Sequence, residues 1–124
     1  GTWLADWEDP DPVPAPVTTI AWRVWHIADA LDGYSSRLFG RTGNGLAERV
    51  WVGSWAEAEP LLRAAGDVFR EGVDSWGDDV FEPLGDNWGP FGRHSRLDLL
   101  FHALREVNHH GAEVALLRDL YGAR

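Results

Sequence analysis

The chain has 124 residues, which suits one domain with a hydrophobic core of moderate size. Its formal net charge of −9 argues against nucleic acids and anionic membranes as partners, since both attract positive charge. It contains no cysteine, which excludes disulfides and a thiolate nucleophile, so any metal must be held by imidazole and carboxylate groups.

The first 16 residues form an arm rich in tryptophan and proline, ahead of a helical region that covers 17–124. The arm has prolines at every second position from Pro10 to Pro16, which excludes a regular helix and favours extended structure. Trp3, Leu4 and Trp7 are too apolar for a free tail. We therefore expect the arm to lie along the domain with its tryptophans packed.

A first helix is predicted over 18–38, with Thr18 or Thr19 as its N-cap and Gly40 at its end. His26 lies beside the apolar stripe of this helix. A single histidine at the edge of an apolar face is more often structural than a metal ligand, so this position alone does not indicate a site.

A second helix is predicted over 55–73, after a glycine-rich loop in which 50–52 could be extended. Ser54 and Glu57 match the capping box S-x-x-E, whereas Pro60 removes one backbone hydrogen bond near the helix start. Residues 75–92 are rich in glycine and are predicted to be a long loop. Its apolar side chains could anchor it as a lid.

The last predicted helix, over 96–121, carries an unusual set of ionisable side chains. At about 100° per residue, they share an arc of about 100° on one side of the helix. They are His102, Glu106, His109, His110 and Glu113. His110 falls inside the apolar face and Glu106 at its edge. That face is predicted from Leu99, Ala103, Val107, Val114, Leu117 and Tyr121.

A carboxylate and an imidazole that face a core need neutralising partners or a cation. Glu106 and His110 stand at i and i+4, a spacing that suits two ligands of one metal ion. His102 with Glu106 has the same spacing but lies farther from the apolar face. A polar helix face with incidental histidines is the other alternative. His109 and His110 are adjacent and point about 100° apart, so they are not expected to bind one ion.

Three helices with long connections predict an all-α helical bundle. No segment alternates with period two over a strand length, so sheet content should be small or absent.

Several segments resemble the DinB-like superfamily, which includes mycothiol-dependent and bacillithiol-type metalloenzymes. The residues that carry the resemblance are WRVWHI at 22–27 and EVNHHGAE at 106–113. The ending ALLRDLY at 115–121 and the leader DWEDPDP at 6–12 are similar to actinobacterial members. The resemblance covers essentially the whole chain and is most specific in the last helix.

The resemblance implies a four-helix bundle that holds a divalent metal ion, zinc first and nickel or iron as alternatives, through three residues. Carried over to this sequence, the ligands are His26, Glu106 and His110. The family's usual pair on the last helix is H-x-x-x-H, and here Glu106 takes the first position. Glutamate is a competent oxygen ligand for these metals.

The family also has a long helix ahead of the tryptophan–proline leader, and this sequence shows no counterpart to it. We therefore expect a bundle without that N-terminal helix. Its uncovered apolar strip would favour a homo-oligomer.

The resemblance implies a metal-dependent enzyme with a small-molecule substrate, a transferase or hydrolase that uses a low-molecular-weight thiol such as mycothiol. By location, Arg23, Tyr34 and Trp88 are candidates for lining its cofactor pocket, and Glu113 is expected to hold His109 in place. The alternative is a non-catalytic bundle with a structural or lost metal site. No apolar run reaches the roughly 20 residues of a membrane span and no signal peptide is visible, so we expect a cytoplasmic protein.

Overall fold

The computed structural model describes residues 2–5, 13–14, 17–43 and 50–124. Three α-helices make up most of this part of the chain: α1 (Ile20–Phe39), α2 (Trp55–Asp74) and α3 (Arg96–Gly122). Two short 3-10 segments, Gly77–Phe81 and Asp86–Phe91, lie between α2 and α3. The prediction of an all-α bundle is confirmed, and each predicted helix boundary agrees with the structure to within two residues.

The helix boundaries follow from local hydrogen bonding at the caps. Thr19 is the N-cap of α1, and its hydroxyl accepts a hydrogen bond from the Trp22 amide at 3.0 Å. Gly40 ends α1 in the left-handed region at φ 68°, which a residue without a Cβ adopts at little cost. Ser95 and Asp98 form a reciprocal capping box at the start of α3. Each of these N-terminal caps thereby satisfies at least one of the backbone N–H groups that a helix start leaves without a helical partner.

The core lies where α1 packs against both α2 and α3. Small buried side chains, Ala28 on α1, Ala65 on α2 and Ala103 on α3, let the helices approach closely, and larger apolar side chains fill the space between them. Gly72 serves the same purpose at the end of α2, because a Cβ there would lie 2.2 Å from the ring of Phe39. The larger core residues are Val24, Trp25, Ile27, Leu31, Trp51 and Phe69.

The arm contributes one short strand. β1 (Trp3–Leu4) pairs antiparallel with β2 (Val50–Trp51), with Trp3 opposite Trp51. The Trp3 ring lies against the backbone of Gly53, yet the residue remains 63% exposed, so the expectation of a packed tryptophan is wrong at this position. A ribbon of two strands with two residues each is too small to cover an indole ring on all sides. Trp7 lies outside the described residues.

The segment over 75–92 is more ordered in its backbone than the predicted loop. Within its two 3-10 turns, Trp88 is buried, whereas Phe81 and Phe91 are exposed. The chain then returns to α3 through a bridge between Pro83 and Ser95. Trp88 and the equally buried Trp76, whose ring contacts Phe39 of α1, therefore anchor this segment against the helices.

The buried face of α3 is shorter than the predicted apolar face. Leu99 and Ala103 are buried as expected, but Val107 is 37% exposed and Tyr121 is 66% exposed. α3 has 27 residues and its partner helices have 20 each, and no residue of α3 after His110 is buried. Val107 lies at the edge of the buried arc. No helix within the described ranges is long and apolar enough to cross a membrane.

Candidate metal centre

Helices α1 and α3 bring three candidate ligands to one place. Glu106 and His110 are one turn apart on the inner face of α3, and His26 faces them from α1. The Nε2 atom of His26 lies 3.6 Å from Oε2 of Glu106, and Nε2 of His110 lies 3.5 Å from the same oxygen. One ligand atom from each residue can be chosen so that all three lie within 4.8 Å of one another.

These separations fit a shared ion better than direct hydrogen bonds. A charge-assisted hydrogen bond between imidazole and carboxylate brings the heavy atoms to about 2.7–2.9 Å. Two donors that each lie about 2.0–2.1 Å from a tetrahedral zinc ion are about 3.3–3.4 Å apart. The observed distances of 3.5 and 3.6 Å lie near the second value. Two imidazoles and one carboxylate also form a donor set that divalent zinc, nickel and iron accept.

Glu113 fixes the tautomer of His110. Its Oε2 lies 2.8 Å from Nδ1 of His110. A hydrogen bond from Arg23 is the main reason that the pKa of Glu113 is lowered to about 2, so at neutral pH this carboxylate can only accept hydrogen bonds. Nδ1 of His110 must therefore carry the proton, which leaves the lone pair of Nε2 directed at Glu106 and His26.

Arg23 connects this pair to the start of α1. Its Nε donates to Oε2 of Glu113 at 2.6 Å, and its Nη1 donates to the Thr18 carbonyl. Arg23 is buried, and a buried guanidinium needs such partners. It is not among the residues that line the cavity bordered by Tyr34 and Trp88, so its role in lining a cofactor pocket stays a prediction.

His26 is held by stacking. Its ring lies parallel to the indole of Trp22, with centroids 4.8 Å apart and planes 7° apart, and edge-on to the ring of His110 at 4.8 Å. Burial is the main cause that lowers the pKa of His26, and the neighbouring His110 adds to it against the opposing effect of Glu106. The neutral imidazole, which is the form that binds metal, is thereby favoured.

His109 and His110 lie closer together than the sequence predicted. Their rings are stacked with centroids 4.7 Å apart, because Glu113 attracts both. Its Oε1 lies 3.2 Å from Nε2 of His109, which agrees with the expected contact between these two residues. His109, His110 and Glu113 form a second group whose ligand atoms lie close together. This group suits an ion less well, since Oε2 of Glu113 already accepts from Arg23 and Nδ1 of His110 carries a proton.

The competing pair of His102 and Glu106 is not brought together with a third donor among the described residues. Nδ1 of His102 lies 2.9 Å from Nη2 of Arg105 instead, and the ring meets Tyr34 edge-on at 6.1 Å. His102, Tyr34 and Trp88 border a cavity of about 360 Å³, and none of the three candidate ligands is among its lining residues. Burial and the nearby charge of Glu106 both raise the pKa of Tyr34.

Sequence reasoning missed two features of this centre. It assigned Glu113 to His109 alone, although the i and i+3 spacing also permits the contact with His110. It also missed Arg37, which borders the cavity with its guanidinium over the Trp88 ring. Arg37 belongs to α1 and Trp88 to the segment before α3, and no spacing rule relates positions in different elements.

The chain was compared with protein families, curated proteins and solved structures. The family profile of the DinB superfamily matches residues 5–114, a range that includes all three candidate ligands and all of α1 and α2. No curated protein and no solved structure compared with the chain matches it. The matched range covers most of the chain, and the helical architecture agrees with it. This chain belongs to the DinB superfamily.

Proposed function

We propose that this protein is a divalent-metal-dependent enzyme in which His26, Glu106 and His110 hold the ion, with zinc as the first candidate. The observation that carries the proposal is the position of Oε2 of Glu106, 3.6 Å from Nε2 of His26 and 3.5 Å from Nε2 of His110. The family match and the tautomer that Glu113 imposes on His110 support the same assignment.

Three protein ligands leave a coordination position for a water or thiol. A bound divalent ion would lower the pKa of that group and provide a nucleophile near neutral pH. The chain's own residues prepare the site for this chemistry. Glu113 holds the proton of His110 at Nδ1, and the Trp22 ring covers one face of His26. Arg23 keeps Glu113 ionised, so the tautomer is fixed before an ion enters.

The reaction that we propose is a transferase or hydrolase reaction that uses a low-molecular-weight thiol, with mycothiol as one candidate, on a small-molecule substrate in the cytoplasm. Tyr34 and Trp88 would contact the thiol or the substrate, because both border a cavity and Tyr34 is near enough to Glu106 for that charge to raise the Tyr34 pKa. Among the three proposed ligands, Glu106 is the carboxylate and would contribute one negative charge. The site would keep a net positive charge, because the ion carries two positive charges.

Metal content is the first test. The full chain, purified without a histidine tag, should contain about one equivalent of divalent metal by mass spectrometry. His26→Ala and His110→Ala should each lose it. His102→Ala is the matched control, because it removes a histidine one turn before Glu106 on the same helix, and it should keep the ion. Loss of metal in His102→Ala but not in His110→Ala would contradict the assignment.

Turnover is the second test. The metal-loaded protein should consume a model electrophile such as 1-chloro-2,4-dinitrobenzene faster when a thiol is supplied, and His110→Ala should abolish the acceleration. A stoichiometric ion without any thiol-dependent turnover across several thiols and electrophiles would favour the alternative function, a non-catalytic bundle with a structural ion.

A further inference from the structure

A cavity of about 360 Å³ lies between α1, the 3-10 segment over 86–91 and the first turns of α3. This volume is at the lower end of the roughly 300–1,000 Å³ that small-molecule sites occupy. Its lining combines aromatic walls with a few polar groups. The residues that matter for recognition are Tyr34, Arg37, Leu84, Trp88, Phe91 and His102.

The walls of this cavity suit a flat apolar body. The rings of Tyr34 and Trp88 lie 6.2 Å apart and are inclined by 36°, and Trp88 is buried while Phe91, which also lines the cavity, is exposed. Flat aromatic walls favour planar rings through stacked or edge-on contacts. A ligand of one or two rings would therefore displace water from apolar surface.

Arg37 places a positive charge at this apolar space. Its guanidinium carbon lies 5.2 Å from the centre of the Trp88 ring, so the planar group is held against the aromatic wall. No carboxylate of the described residues forms an ion pair with Arg37, whereas Arg41, further along the chain, pairs with Glu71 at 3.3 Å. A guanidinium matches a carboxylate through two parallel hydrogen bonds.

His102 adds a second donor. Its Nδ1 lies 2.9 Å from Nη2 of Arg105, and arginine can only donate, so Nδ1 accepts. The proton of a neutral His102 must then lie on Nε2. Asp98 is the one carboxylate among the residues that line the cavity, and the amide and hydroxyl of Ser95 each lie 2.9 Å from its Oδ2. The charge of Asp98 is thus directed at the helix start.

We propose that this cavity binds an aromatic monocarboxylate, with its ring against the aromatic walls and its carboxylate on Arg37. Charge complementarity decides the class of ligand. The whole chain carries a net charge of −9, which would favour cations in general, but the group that this cavity offers is a guanidinium without a carboxylate partner among the described residues. The proposal does not require that the neighbouring centre binds metal.

The test is calorimetric titration of the full chain with 2-naphthoate, its neutral analogue 2-naphthamide and the cation 2-naphthylmethylamine. Naphthoate should bind at least fivefold more tightly than either analogue. Arg37→Gln should weaken naphthoate binding at least fivefold and leave naphthamide unchanged, because only the charged hydrogen bonds are lost. Arg41→Gln is the matched control, since it changes the net charge equally outside the cavity, and it should have no effect.

Three results would overturn the proposal. The first is equal binding of the three probes, and the second is naphthoate binding that Arg37→Gln leaves unchanged. The third is no binding of naphthoate up to millimolar concentration. The His26→Ala variant separates this site from the metal centre, since naphthoate binding should persist in it. If His26→Ala loses naphthoate and Arg37→Gln keeps it, the carboxylate binds the metal and the cavity assignment is wrong.

Discussion

Nε of Arg23 donates a hydrogen bond to Oε2 of Glu113 at 2.6 Å, although the two residues stand 90 positions apart in the chain. The same oxygen lies 2.8 Å from Nδ1 of His110, so one carboxylate joins the start of α1 to a candidate metal ligand on α3. Groups that orient a ligating histidine typically change metal affinity by 10–100-fold when they are removed.

Glu113→Ala should therefore weaken zinc binding about 10–100-fold, because His110 loses the acceptor that holds its proton on Nδ1. Competition with a chromophoric chelator would measure this change. His109→Ala is the control, since His109 is exposed, stacks on the same His110 ring and contacts Oε1 of Glu113 at 3.2 Å rather than the oxygen that holds His110. The zinc affinity of the His109→Ala variant should differ less than threefold from that of the unmodified protein. Equal losses in both variants would point to a general effect of the stacked histidines.

Glu106→His should shift metal preference. This substitution restores the H-x-x-x-H pair that the family usually has, and it replaces an oxygen donor with a nitrogen donor. Imidazole favours zinc and nickel, whereas carboxylate favours manganese. The ratio of zinc to manganese affinity should therefore rise about tenfold or more relative to the unmodified chain, as measured by competition between the two ions. Glu59→His, on the exposed face of α2, should leave the ratio unchanged. An unchanged ratio in Glu106→His would show that Glu106 does not coordinate the ion.

The Arg23–Glu113 ion pair should make part of the stability depend on pH. The pKa of Glu113 is about 2 in the folded protein, below its ordinary value of 4.5, mainly because of the hydrogen bond from Arg23. The unfolded chain therefore takes up a proton first as the pH falls. The stabilisation is present above about pH 4.5 and is lost as the pH falls through about 2. It should amount to roughly 2 kcal/mol, allowing for solvent screening of a side chain that is 31% exposed.

Chemical unfolding of the metal-free protein and of Glu113→Gln at several pH values would measure this contribution. The difference in unfolding free energy between them should be largest near pH 6 and shrink towards pH 2.5. Glu59→Gln removes an exposed carboxylate from a pair with Arg63, and its difference from the unmodified protein should stay small throughout. A Glu113→Gln difference that is constant with pH would mean that the ion pair does not contribute as the geometry indicates.

Exposed apolar side chains on the outer face of α3 indicate that the protein self-associates. Phe101, Leu104 and Leu116 are exposed, and about 100° per residue places them on the side of the helix opposite Ala103 and His110. A second copy of the chain would remove this apolar surface from water. Light scattering at micromolar concentration should give a dimer or larger oligomer, and the double variant Phe101→Glu, Leu104→Glu should reduce it to a monomer.

Phe81→Glu is the control for this prediction, because Phe81 is equally exposed but belongs to a 3-10 segment. It should keep the oligomer. A monomer for the unmodified chain at micromolar concentration would show that the exposed residues on α3 have no such partner.

The sequence by itself determined the helices and part of the candidate site. Thr19, Ser54 and Ser95 mark the helix starts because capping is a local hydrogen-bonding problem that adjacent residues solve. Glu106 and His110 could be paired from their spacing, because 3.6 residues per turn makes i and i+4 neighbours in any α-helix. The buried face of α3 was predicted too long, since the pattern does not show where the partner helices end.

The tertiary structure alone decided which residues meet across elements. The distance of 3.6 Å between His26 and Glu106, the bond from Arg23 to Glu113 and the place of Arg37 over Trp88 depend on how α1 packs against α3 and the preceding segment. Helix periodicity fixes the direction of a side chain only relative to its own axis. Which residue of another element a side chain meets depends on the angle at which the two elements cross and on their relative position along the chain axes. The packing of the whole core sets both.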